Sequence, residues 1–273
     1  MSARCLLELL ELLEDMEKLS LTDDIAIDSR FLEYAQNCRD LDISLATTRE
    51  IPVSVFALSN LTELSLRHCE NLTTVPAEIG QLSALTSLDV NDCPLLEQLP
   101  PTIGLLQRLT RLSLRGCKNL TTVPDEIGQL SALTSLAISE CHMFEQLPST
   151  IGSLRQLEEF DIRYCTYFEG LPSAFVHCRR LKRFTVYRCV LFTRLEPWFA
   201  FMPILEHFMW FPCINPVYLH PPDDVVNSGQ WAVTEYLLRD YHEYKILILA
   251  IAGRRKRPRL PPELWELVLA MIR

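Results

Sequence analysis

Apolar residues recur along this chain with one long, regular period. Leu61, Leu85, Leu109, Leu133, Leu157, Leu181 and Leu205 stand 24 residues apart. Three residues after each comes Leu64, Leu88, Leu112, Leu136, Phe160, Phe184 or Phe208, and two further on Leu66, Val90, Leu114, Ile138, Ile162, Val186 or Trp210. Cysteines keep the same phase at 69, 93, 117, 141, 165, 189 and 213. Prolines follow at 76, 100, 124, 148 and 172, with an Ile-Gly pair at 79–80, 103–104, 127–128 and 151–152. The unit reads LxxLxLxxCxxLxx[LV]PxxIGxLxx. A degenerate copy, Cys38 to Asn60, precedes it and keeps Leu41, Ile43, Ile51, Pro52, Val55 and Leu58.

Each part of the unit predicts an element. LxLxx alternates with period two, the mark of a short strand with one face buried. Proline cannot continue a ladder, so it turns the chain. Ile-Gly-x-Leu then predicts a short helical turn on the opposite side. One such coil cannot bury its own apolar edge, so the coils must stack. Eight coils at ~4.8 Å make a parallel concave sheet roughly 35–40 Å long. Evenly phased cysteines report the repeat rather than a bridging pattern, and are expected as free, buried thiols. A straight ladder of thiols does not surround a metal tetrahedrally, so no metal site is expected.

This is the leucine-rich-repeat pattern, and the resemblance covers residues 38–213. The LPxxIGxL half resembles the repeats of plant intracellular disease-resistance proteins and of Ras-group scaffolds. LTRLSLRGCKNLTTVPDEIGQL, residues 109–130, is especially similar to the former. The resemblance implies an α/β solenoid of about eight coils with a short helical or irregular convex side. It also implies a non-enzymatic protein–protein interaction module or scaffold, in intracellular signalling. The chain departs from resistance proteins in having no GxxxxGK[ST] phosphate loop. Residues 61–84 match 109–132 at 20 of 24 positions but 85–108 at only 9, the trace of a duplicated two-coil unit.

Solenoid ends expose apolar edges and need covers. Residues 1–37 read as a helical N-terminal cap, with one helix over about 3–19 and a second over 22–36 capped by Thr22. Residues 214–273 read as a C-terminal helical cap. It contains a basic linker at 254–259, five positive charges in six residues. That run is open to two readings, a solvated linker or a nuclear localisation signal. The last segment, LPPELWELVLAMIR at 260–273, resembles the first helix of an F-box. That likeness implies an alternative function, the substrate receptor of a cullin-type ubiquitin ligase, with Leu260, Leu264, Trp265 and Val268 as adaptor-docking residues.

Charge and composition then exclude classes. The net charge of −9 argues against a nucleic-acid partner, because phosphate contacts need clustered cations. The longest apolar run, Ile246 to Ala252, is seven residues, so no membrane insertion is expected. Charged residues recur through the first nineteen, unlike a secretory core, so the expected compartment is the cytoplasm. No GxSxG, HExxH, CxxC or GxGxxG motif occurs, so the expected protein is no enzyme and needs no cofactor, metal or small-molecule substrate. His177-Cys178 places a histidine beside a thiol, and chain neighbours do not face each other as base and nucleophile.

What remains is the concave face, formed by positions 2, 3, 5, 7 and 8 of the unit. Early coils place small polar residues there. Arg67, Arg115 and Arg163 fall in one column, two coils apart. Later coils place Arg163, Tyr164, Tyr187 and Arg188 there, then His207, Met209 and Phe211. Tyrosine and arginine on an exposed surface have hot-spot composition. Trp210 and Phe211 are open to two readings, partner contact or cover by the C-terminal helices. Tyr164, Tyr187 and Arg188 lie farther from that cap and are expected to contact a protein partner, with Arg163, Arg115 and Arg67 beside them.

Overall fold

The computed structural model describes residues 18–22, 35–192, 199, 202 and 205–212. Their strands follow the predicted phase: β1 Lys18–Thr22, β2 Asp40–Ser44, β3 Glu63–Arg67, β4 Ser87–Asn91, β5 Arg111–Arg115, β6 Ser135–Ser139, β7 Glu159–Arg163, β8 Arg183–Cys189 and β9 His207–Pro212. They pair in parallel and in chain order as one nine-stranded sheet. Register is set by the repeat: Leu64, Leu88, Leu112, Leu136, Phe160, Phe184 and Phe208 are successive partners across it.

A five-residue 3-10 helix follows each proline, at Val53–Ala57, Ala77–Gln81, Pro101–Leu105, Asp125–Gln129, Ser149–Ser153 and Ser173–His177. The proline fixes φ near −60° and its carbonyl accepts the first turn's hydrogen bond. Ile127 N–H donates to the Pro124 carbonyl at 3.0 Å, and Ile151 to Pro148 at 3.1 Å. The Ile-Gly pair has a packing reason. A Cβ on Gly128 would lie 2.5 Å from the Thr150 carbonyl oxygen and 2.7 Å from Thr150 Cβ in the next coil. Replacing a permissive glycine by alanine ordinarily stabilises by ~0.4–1 kcal/mol. Here overpacking should win, and Gly128→Ala is expected to destabilise by about 1–3 kcal/mol in urea titration. A stabilised variant would show that the coils can separate.

The core lies between strands and 3-10 turns. The leucine, isoleucine and valine positions of the unit are buried, with Leu88, Leu112 and Leu136 fully so. From Phe144 onward phenylalanine replaces leucine in two columns. Phe144, Phe168 and Phe192 follow one another at centroid distances of 6.0 and 5.5 Å. Phe160, Phe184 and Phe208 do the same at 5.9 and 5.8 Å, with Phe175 edge-on to Phe160 at 4.9 Å.

The described cysteines are buried thiols, as expected. The described repeat cysteines donate to a carbonyl of the preceding coil, among them Cys93 to Leu66, Cys117 to Val90, Cys141 to Leu114 and Cys165 to Ile138, at 3.7–3.8 Å. Burial pushes the Cys38 thiol up to about 11.

The N-terminal cap needs correction. Lys18–Thr22 form a strand, not the end of one helix and the cap of the next. The reason is local alternation: Leu19 and Leu21 are buried while Lys18 and Ser20 are exposed. β1 adds to the sheet beside β2, with Lys18 Nζ 2.8 Å from Asp40. The solenoid sheet therefore begins one strand before residue 38. Ala35–Asn37 are a short 3-10 turn. The remaining helices expected over 3–17 and 23–34 lie outside the described residues, as do Cys213, the basic run and Leu260, Leu264, Trp265 and Val268. The side chains of Trp210 and Phe211 lie outside them too. The solenoid belongs to a compact unit of Met1–Arg194 and Phe201–Asn215; Leu195–Ala200 and Pro216–Arg273 form a second.

Candidate protein-binding surface

Count Leu61 as position 1 of its coil. Positions 4 and 6 point into the core, so positions 5 and 7 form two columns on the outward face. Position 7 runs Arg67, Asn91, Arg115, Ser139, Arg163, Tyr187 in unbroken register. The three arginines thus stand two strands apart, about 10 Å. Each is engaged within the face. Arg67 Nε donates to Ser65 Oγ at 2.7 Å and lies 3.8 Å from Asp42. Arg115 pairs with Glu140 at 3.1 Å. Arg163 makes two bonds of 2.6 Å to Asp161. Position 5 is less open than expected: Ser65 and Thr185 are buried.

The strand N-terminal edge is used by the solenoid itself. Thr86, Thr110 and Thr134 each donate a hydroxyl to the position-2 carbonyl of the preceding coil, at 2.9–3.0 Å. In later coils charge replaces this ladder. Glu158 and Glu159 face Lys182 and Arg183, with Lys182 Nζ 2.7 Å from Glu158. Together with Thr134, Ser135 and Glu206 they line a shallow polar groove.

Position 8 has a distinctive backbone. His68, Asp92, Glu140, Tyr164 and Arg188 take φ of 52–57°, and Gly116 takes 67°. In the coils before β8 a left-handed residue here ends the strand while keeping its N–H in the ladder, Glu140 donating to Arg163 at 2.8 Å and Tyr164 to Tyr187 at 2.9 Å; in β8 Arg188 sits at a break in register inside the strand. For non-glycine residues this conformation costs ~1 kcal/mol or more, supported here by the bonded neighbouring coil.

That turn brings three sequence-predicted residues together. Tyr164 and Tyr187 meet edge to face, their centroids 5.5 Å apart at 78°. The Arg188 guanidinium lies 5.9 Å from the Tyr164 centroid and 5.5 Å from that of Tyr187. Cation–π contact of this kind pre-orders a long side chain. Tyr164 stays 39 % exposed. Arg163 adjoins the cluster as the register partner of Tyr187. Arg115 and Arg67 do not; they lie two and four strands away from Arg163 along the face.

Sequence reasoning missed a further exposed column. Position 11 holds Leu95, Met143, Tyr167 and Leu191, all exposed apolar or aromatic residues. The signal was present in the phase, in the variable residues just before position 12. Other chemistry is sparse. Cys178 is buried and donates to the Ile151 carbonyl at 3.5 Å, and burial pushes its thiol up to about 12. Burial, then Arg155 and Arg179, lower the pKa of His177. Among the described residues no group of three or more His, Cys, Asp or Glu is placed to hold a metal ion. No helix among them is long and apolar enough to cross a membrane.

Comparison with known proteins agrees with this architecture. Residues 54–144 match the leucine-rich repeat region family. No curated protein matches the chain. The leucine-rich repeat domain of the type III effector XopL (XCV3220) is 22 % identical with a TM-score of 0.60, over 77 % of this chain and 81 % of that one. TLR13, in its complex with ssRNA13, is 22 % identical with a TM-score of 0.54, over 72 % of this chain and 30 % of that one. At such identity the likeness is one of fold. The matched region, the parallel one-sheet stack and the buried cysteine column show that this chain carries leucine-rich repeats wound into a solenoid.

Proposed function

We propose that the protein is a non-enzymatic scaffold that docks a protein partner on the outward face of its sheet. Tyr164, Tyr187 and Arg188 are the anchors, Arg163 holds their flank through Asp161, and Arg115 and Arg67 extend the contact. The observation that carries this reading is the edge-to-face pair of Tyr164 and Tyr187 with the Arg188 guanidinium over both rings. Arg67, Arg115 and Arg163 are each engaged by a neighbour; here two part-exposed rings and an exposed cation meet, the composition of interface hot spots. The proposal includes the cytoplasm and a role in signalling assembly, consistent with a column of unbridged buried thiols. The fold alone does not exclude a nucleic-acid ligand, given the TLR13 complex. A net charge of −9 favours a protein.

The test is capture from native extract, followed by titration of the purified partner. Tyr187→Ala with Arg188→Ala should weaken binding by more than ~2 kcal/mol, about 30-fold. Unchanged affinity in a variant whose melting curve is intact would overturn the assignment.

A further inference from the structure

The strip that adjoins the Tyr–Tyr–Arg cluster carries three chemically distinct lanes. Position 11 lies in the turn after each cysteine. In three successive coils it holds Met143, Tyr167 and Leu191, exposed by 40, 47 and 43 %. Backbone bonds stack these turns: Met143 N–H donates to Lys118 at 3.1 Å, Tyr167 to His142 at 3.2 Å and Leu191 to Thr166 at 3.3 Å. The three side chains therefore form a continuous apolar lane, one coil apart. In earlier coils Asn71 and Asn119 interrupt it.

On the sheet side of this lane, at position 8, stands Arg188. Arg163, on the adjoining strand, and Arg115, farther along the face, are neutralised by Asp161 and Glu140. Arg188 rests on two rings, and no carboxylate among the described residues pairs with it. On the far side, at position 13, Glu145 and Glu169 are exposed and locked in register, Glu169 N–H donating to the Glu145 carbonyl at 3.0 Å. No ion pair joins either to a described residue. The order across the strip is cation, apolar, anion.

We propose that this strip docks a protein segment of the complementary order: an acidic side chain for Arg188, one or two large apolar side chains for Met143, Tyr167 and Leu191, and a basic side chain for Glu145 and Glu169. It rests on the reading of the adjoining face as a partner site and names that partner's chemistry. A polyanion would meet the glutamate lane unfavourably. Exposed apolar surface between opposite charges supplies both burial and register.

The probe is a random 12-residue peptide display library, selected against the full-length protein. Enriched peptides should carry an acid, a large apolar residue and a base in that order. Tyr167→Ser and Arg188→Glu should each weaken the best peptide at least tenfold. Arg188→Glu should regain binding when the peptide's acid becomes lysine; glutamate suits this backbone, since Glu140 holds the same left-handed conformation. Failure to enrich, peptides without this order, or binding indifferent to Tyr167→Ser would overturn the proposal. So would photo-crosslinks from position 167 into this chain itself, within one copy or between two. Partner binding lost with Tyr187→Ala and Arg188→Ala but kept in Tyr167→Ser would overturn the strip alone. Binding kept in both variants would overturn the face and the strip together.

Discussion

Leu112→Asp is expected to unfold the solenoid or to remove several kcal/mol of stability. Leu112 is fully buried in β5, with Leu88 and Leu136 as its register partners. An aspartate there has no cation in reach of the core and must be buried charged or take up a proton, each at a cost. Domains keep only ~5–15 kcal/mol in total. Every coil is held by its neighbours, so a defect in the middle of the stack weakens both halves. The check is urea titration by circular dichroism against Leu112→Ala, which loses only an apolar isopropyl group and should cost about 2–5 kcal/mol. Equal midpoints for the two variants would show that water reaches the site.

Phe184→Ala should remove about 3–5 kcal/mol. Phe184 is fully buried and touches three other rings: Phe160 at 5.9 Å, Phe175 at 6.3 Å and Phe208 at 5.8 Å. Truncation empties the centre of that group, and rings anchored in neighbouring coils cannot collapse into the space. Phe184→Leu should retain more than half of the lost stability, because the coils from Leu61 to Leu136 use leucine at this position. Urea midpoints of the two variants measure the difference. A loss below ~1 kcal/mol for alanine would mean that the late coils are loosely packed.

The repeat made most of the fold legible. A period of 24 assigns every leucine of a coil to the same environment, so one coil's alternation predicts all the strands. Proline and glycine were equally readable, though the glycine's partner, a backbone oxygen one coil on, came only with the stack. β1 was misread because KLSLT follows a leucine-rich run whose spacing suits a helix. Five residues of alternation are too short a signal to compete with seventeen residues of helical pattern. Its identity as a strand depends on the edge offered by β2, a partner about 22 residues away.

The binding face was legible as columns and not as chemistry. Column arithmetic places Tyr187 next to Arg163, and the structure agrees. It does not say that Asp161 takes Arg163 while Arg188 settles over two tyrosines. Those choices follow from side-chain rotamers and from the left-handed turn at position 8, which favours glycine or asparagine but here holds histidine, aspartate, glutamate, tyrosine and arginine. By itself, then, the amino-acid sequence determined the solenoid, its register and its core, because burial repeats with the chain. Only the tertiary structure decided the extra edge strand, the pairing of the face charges and the exposed lane of Met143, Tyr167 and Leu191. The strand needs an edge about 22 residues away, the face charges pair both within a strand (Arg163 with Asp161) and between coils (Arg115 with Glu140), and the lane needs the turns of three coils stacked, none of which local periodicity encodes.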